Sequence, residues 1–144
     1  MSSPRIKKLL GGKVVIESLI SYKPPFKNPI LGRKRLMLEK GELAEIYSSS
    51  KPVRFISYVE FPSGKTRGGH YHNRQEFFYI IRGEMIMRVA DPLKGAVKKF
   101  SVKEGDLISL APKVAHILTT VKPGHALEFS GKPFNPKDSF PYQF

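Results

Sequence analysis

Residues 64–83 read GKTRGGHYHNRQEFFYIIRG, and the rest of the chain reads as a scaffold that presents this stretch. It holds His70 and His72, two of only four histidines. They are two apart, so in an extended strand their side chains leave the same face. After Asn73, Arg74 and Gln75, which are polar and turn-friendly, Glu76 offers a carboxylate. The run EFFYII that follows is aromatic and β-branched. The pattern predicts strand, tight loop, strand: a hairpin with the polar trio grouped near its bend.

A divalent metal needs several lone pairs converging from a rigid frame, and neutral imidazoles with one carboxylate suit zinc, manganese, iron, nickel or cobalt. A fourth ligand has a candidate in His116, which lies in the strand-like GDLISLAPKVAHILTT behind a Gly-Asp turn. Here the sequence resembles the cupin family. Its first motif runs glycine, five residues, His-any-His, three or four residues, Glu, six residues, glycine, and Gly64, His70, His72, Glu76 and Gly83 fit every position. The second motif is matched at Gly105 and His116, while Ala111, Lys113 and Thr120 stand where the family has proline, glycine and asparagine. The resemblance implies an all-β double-stranded β-helix, the cupin or jelly-roll barrel, with His70, His72, Glu76 and His116 as ligands of a divalent metal ion such as zinc, manganese, iron or nickel.

The wider sequence agrees with an all-β chain. KVVIESLI at 13–20 reads as a first strand, broken by the prolines up to Pro29. Segments near 42–47 and 53–61 follow, the second alternating Val53, Phe55, Ser57, Val59 and Phe61 against Arg54, Ile56, Tyr58 and Glu60. Gly83 reads as a turn into EMIMRVAD, and AVKKFSV, DLISLAP, VAHILTT and HALEFS succeed one another at short spacing. Many short strands between Gly and Pro turns indicate a sandwich or barrel. The expected organisation is a basic N-terminal arm with the first strand over 1–40, and one barrel domain over 41–144.

With 144 residues and 40% hydrophobic content the chain can bury a real core. Cysteine is absent, which excludes disulfides, thiolate ligands and a cysteine nucleophile. No apolar run is long enough to span a membrane and no secretion signal is evident, so a cytoplasmic protein is expected. The net charge is +13, and residues 1–40 hold ten Lys or Arg against Glu17 and Glu39. Such a field concentrates anionic ligands. The arm carries no nucleic-acid-binding motif, its Tyr22 and Phe26 flanking prolines instead of forming a stacking strip, so a nucleic-acid partner is not expected.

Finer resemblance narrows the activity. Residues 40–84 and the ending ALEFSGKPFNPKDSFPY look like the C-terminal cupin domain of bifunctional capsular-polysaccharide enzymes that make 6-deoxy sugars. Arg67-Gly68-Gly69-His70 is similar to the Arg-Gly-any-His motif of dTDP-4-dehydrorhamnose 3,5-epimerase. These resemblances imply an epimerase or isomerase acting on a 4-keto-6-deoxyhexose nucleotide in polysaccharide biosynthesis, and a homodimer. Removing a proton beside a ketone creates an enolate, so such an enzyme needs a base, an acid across the ring and stabilisation of the oxygen. The resemblance makes His70 the base and places Arg67 on the substrate. Proton abstraction and metal coordination by His70 compete for one nitrogen. For the acid, Tyr58, Tyr71, Tyr79 and Tyr142 are available and sequence does not choose among them; Tyr79 is carried as the nominal candidate. Tyr71, Arg88 and Lys113 complete the expected substrate contacts.

Each assignment has a plainer competitor. A histidine in an apolar strand ordinarily satisfies a hydrogen bond, Glu76 could pair with an arginine such as Arg88, and the aromatics at 77–79 read as core packing. Lys113 could merely occupy a turn, and His125 has no matched position. Two other function classes fit the same residues: a metal-dependent oxygenase of a small organic substrate, and a non-catalytic sugar- or acid-binding module.

Overall fold

The computed structural model describes residues 5–144. Twelve strands form in chain order: β1 (Arg5–Leu9), β2 (Val14–Ser18), β3 (Ser21–Tyr22), β4 (Lys34–Leu38), β5 (Gly41–Glu45), β6 (Phe55–Phe61), β7 (Thr66–Tyr71), β8 (Glu76–Ala90), β9 (Val97–Lys103), β10 (Asp106–Leu110), β11 (Ala115–Ser130) and β12 (Phe140–Pro141). Nine of them make one sheet and β3, β4 and β5 a second. Among the described residues no helix is long and apolar enough to cross a membrane.

The large sheet rolls on itself because β8 and β11 each serve two walls. Residues 77–80 of β8 pair with residues 126–129 of β11, and residues 85–90 pair with residues 115–120. The front wall adds β10 and β2 beside β8 and β6 beside β11. The back wall adds β9 beside β8, and β7 with β12 beside β11. Gly83 is therefore a corner in a continuous strand and not the chain reversal its position predicts; VAHILTT and HALEFS are likewise one strand. At this corner the chains touch: a Cβ on Gly124 would lie 1.8 Å from the Arg82 carbonyl oxygen, and one on Gly83 would lie 2.7 Å from that of Lys122.

The side-chain alternation of these strands fills the interior with Val14, Ile16, Val59, Phe61, Phe78, Ile80, Met85, Met87, Val89, Ile108, Leu110 and Leu118. The opposite face of the front wall is also apolar. There Leu19, Tyr79, Leu107 and Phe129 are covered by Ala44, Ile46 and Tyr47, which follow from the small sheet. Tyr47 sits 4.9 Å from the Phe77 ring and 5.1 Å from Phe129.

The basic arm does not stand apart at residue 40. β2 pairs with β10 and puts Val14 and Ile16 into the shared core. Several of its cations are also engaged within the chain: Arg33 with Glu17, Lys34 with Glu45 at 2.7 Å, and Arg35 with both Glu42 and Glu104. The field available to an anion is accordingly smaller than the sequence count implies.

Candidate active site

The stretch 64–83 forms strand, loop and strand, but β7 and β8 are not a hairpin. β7 pairs with β11 and β12 in the back wall, while residues 76–80 of β8 lie in the front wall. The loop between them crosses the barrel, so the histidines and Glu76 approach each other from opposite walls.

Arg67 and His70 are three apart, which in a regular strand sends them to opposite faces. A bulge removes the conflict. His116 pairs with His70 but Ile117 pairs with Gly68, leaving Gly69 as the extra residue. Gly68 and Gly69 have φ of +110° and +85°, and a Cβ on Gly68 would lie 2.7 Å from the His116 carbonyl oxygen. The Gly-Gly pair thus lets β7 approach β11 closely while Arg67, His70 and His72 all line one cavity of about 320 Å³. Arg74, Phe78, His116, Glu128 and the tail residues Asn135 and Asp138 complete much of its wall.

The ligand atoms of His70, His72 and His116 lie within 4.8 Å of one another. Glu76, 2% exposed, brings Oε1 to 3.0 Å from His72 Nε2 and Oε2 to 3.6 Å from His116 Nε2. The second nitrogen of each ring is occupied: Nδ1–H of His72 donates to the Asp138 carbonyl, and that of His116 to the Val114 carbonyl at 3.4 Å. That tautomer turns bare Nε2 lone pairs toward a carboxylate. His72 can relieve the repulsion by protonation: burial opposes its charge, but the hydrogen bond and charge of Glu76 outweigh burial and raise its pKa. His116 cannot, because burial lowers its pKa to about 4. Both Glu76 oxygens are buried without a hydrogen bond of ordinary geometry. Despite the burial that opposes ionisation, its imidazole and Arg74 neighbours hold the Glu76 carboxyl below the usual range. An ionised carboxylate facing imidazole lone pairs is a donor set that fits a divalent cation.

Arg74 was expected among polar loop residues, yet it is 5% exposed and lines the cavity. Its guanidinium reaches Glu76 Oε1 at 3.2 Å and Asp138 Oδ2 at 3.4 Å, so an arginine does pair with Glu76, and it is Arg74 instead of Arg88. Asp138 also accepts from the Asn73 backbone N–H at 2.7 Å and, through its carbonyl, from His72. With β12 on β7, and the Tyr142 N–H donating to the Gly69 carbonyl, the tail from about residue 131 is a wall of the site. Asp138→Ala is expected to cost about 1–3 kcal/mol, because it strips a buried guanidinium and a backbone donor of an acceptor. A urea melt checks the cost, and amide exchange is expected to quicken in the tail first.

Four expected site residues are not brought to the cavity. Tyr79, 3% exposed, is on the outer face of β8 among Leu19, Leu107 and Phe129. Tyr71 stacks on Phe140 at 5.3 Å. Arg88 is in the back wall with its guanidinium 5.5 Å from the Phe144 ring. Lys113 is exposed at a turn with φ +69°, the conformation for which glycine is favoured, and its N–H donates to the His72 carbonyl at 2.6 Å. Tyr58 packs at a tilt against His125, and among the described residues no tyrosine lines the cavity.

Residues 57–129, just over half of the chain, match the family model for the cupin domain. The chain belongs to the cupin family. No curated protein matches it by sequence. Solved structures resemble this cupin closely in fold and distantly in sequence. The dTDP-4-dehydrorhamnose 3,5-epimerase of Sulfolobus tokodaii superposes with a TM-score of 0.72 at 15% identity, covering 94% of this chain and 80% of that one. The dTDP-6-deoxy-D-glucose-3,5-epimerase of Legionella pneumophila, in complex with dTDP-4-keto-L-rhamnose, gives 0.74 at 12% identity, with 99% and 79% covered. A mutant 3,4-ketoisomerase of Thermoanaerobacterium thermosaccharolyticum, in complex with TDP-4-keto-6-deoxyglucose, gives 0.67 at 14% identity, with 89% and 86% covered. At these identities the likeness establishes the jelly-roll cupin fold.

Proposed function

We propose that this cupin is an epimerase or isomerase of a 4-keto-6-deoxyhexose nucleotide, and that it binds a divalent metal. The observation that carries the reading is the meeting of His70, His72 and His116 with Glu76 from opposite walls of one cavity that also presents Arg67. The neighbours whose names or bound ligands are keto-deoxy-sugar nucleotides support the substrate class.

His72, Glu76 and His116 are the metal ligands in this reading, since both Glu76 oxygens face those two rings. A divalent ion held there would supply Lewis-acid polarisation of the ketone oxygen. His70 is left as the base. It is half-buried, and burial lowers its pKa, which favours a neutral imidazole ready to accept a proton. Arg67, exposed at the cavity rim, offers two donors in a fork that fits a diphosphate or an enolate oxygen.

Incubation with dTDP- and UDP-4-keto-6-deoxyhexoses in D₂O, followed by proton NMR and an oxygen electrode, tests the reading. Loss of the signal at a carbon beside the ketone without oxygen uptake is expected. Oxygen uptake on an organic substrate would establish the oxygenase instead, and tight binding without exchange the binding module.

A further inference from the structure

Inverting a sugar carbon takes a proton donor on the face opposite His70, and no tyrosine among the described residues lines the cavity. Two carboxyl groups line it, and that of Asp138 is engaged by Arg74 and the Asn73 N–H, which leaves Glu128. Glu128 is on the front-wall part of β11, paired with Phe78 of β8 and Ser57 of β6. Its chain neighbour Phe129 points outward and stacks on Phe77 at 5.0 Å, and the alternation of the strand turns Glu128 inward to the cavity. His70 stands on the back wall, so a ring lying between the walls presents one face to each residue. Among the described residues none donates a hydrogen bond to Glu128 or forms an ion pair with it, which leaves its carboxyl free to meet a ligand.

We propose that Glu128 is the catalytic acid that works opposite His70. The assignment rests on the proton-transfer reading above and adds the residue that completes it. The groups facing it are Glu76 and, with opposite sign, Arg74, His72 and Arg67. Burial, reinforced by the Glu76 charge, raises its pKa against the pull of those cations, which favours a carboxyl that carries a proton to give.

The step balances. The C–H bond beside the ketone breaks and its proton passes to the free nitrogen of His70, while the electron pair forms the enolate. The enolate carbon takes the Glu128 proton, which forms the new C–H bond and restores the carbonyl. His70 is then an imidazolium and Glu128 a carboxylate, and solvent resets both.

The test compares wild type, Glu128→Gln and Glu128→Asp on the same keto-sugar nucleotide in D₂O, reading product formation and deuterium exchange separately. Glu128→Gln is expected to lose product formation by about a hundredfold or more, while exchange into the starting sugar through His70 stays within about tenfold of wild type. Glu128→Asp, which keeps the carboxyl, is expected to regain about tenfold of the lost turnover. A glutamine variant with undiminished turnover overturns the assignment. So does a parallel fall in exchange and turnover, the signature of a merely structural role. A wild-type chain that shows neither exchange nor product overturns the functional reading, and this assignment falls with it.

Discussion

His70→Ala is expected to lower proton exchange at the substrate carbon by about 10²–10⁴-fold, the range that a positioned general base contributes, with the fold near native. The two halves of that expectation have separate causes. His70 belongs to neither apolar cluster, and its ring packs on those of His72 and His116 at 4.5 and 4.9 Å, so its loss opens no gap in the hydrophobic interior. A stability cost of about 1 kcal/mol or less follows for such a half-buried polar site. Chemically, it is the cavity imidazole that Glu76 does not approach, and burial keeps it neutral. The same variant separates its two competing roles. Metal content unchanged by His70→Ala identifies a base beside a site held by His72, Glu76 and His116; metal content lost with it identifies a ligand. Full exchange in the variant would move the base elsewhere.

Gly124→Ala is expected to be among the most damaging single substitutions in the chain. The added methyl would stand 1.8 Å from the Arg82 carbonyl oxygen and 2.7 Å from the Gly83 Cα. Both are backbone atoms of the strand that turns from one wall to the other, so no side chain can swing aside. Relief requires β8 and β11 to part at the corner where their two pairings meet. A destabilisation of about 3 kcal/mol or more follows, as for severe overpacking, or a fall in Tm on the order of 10 °C. Gly64→Ala is the contrast. Its φ of +70° carries strain, but nothing lies within 4 Å of the added Cβ, and about 1–2 kcal/mol is expected. Equal melting temperatures for the two variants would mean that the corner is not closely packed.

What the sequence made legible divides along physical lines. His70, His72, Glu76 and His116 were readable because His70 and His72 are two apart with Glu76 close behind, and because the strands that carry Glu76 and His116 are rich in aromatic and β-branched residues. The walls were harder. Period-2 alternation identifies an interior only where the other face is wet. In EFFYII, Phe77 and Tyr79 face outward yet are covered from the small sheet, so both faces are apolar and the pattern does not say which one is the inside. The same ambiguity left nothing to choose Tyr79 from the other tyrosines and hid Glu128, whose neighbours Leu127 and Phe129 look like the inward residues of HALEFS. Arg74 was hidden for another reason: a loop that crosses between walls is buried by the tail at Asp138, a contact 64 residues away in sequence. Gly68 and Gly69 did carry a signal, since paired glycines inside a strand point to a bulge, and that bulge is what reconciles Arg67 with His70.

The central claim is that a proton leaves and returns to the carbon beside a ketone in this cavity. Mass spectrometry of a 4-keto-6-deoxyhexose nucleotide held with the metal-replete chain in D₂O tests it most directly. The account predicts a mass gain of about one unit per exchanged carbon, dependent on His70. A sugar nucleotide that stays at its original mass through prolonged incubation with folded, metal-replete protein would contradict it.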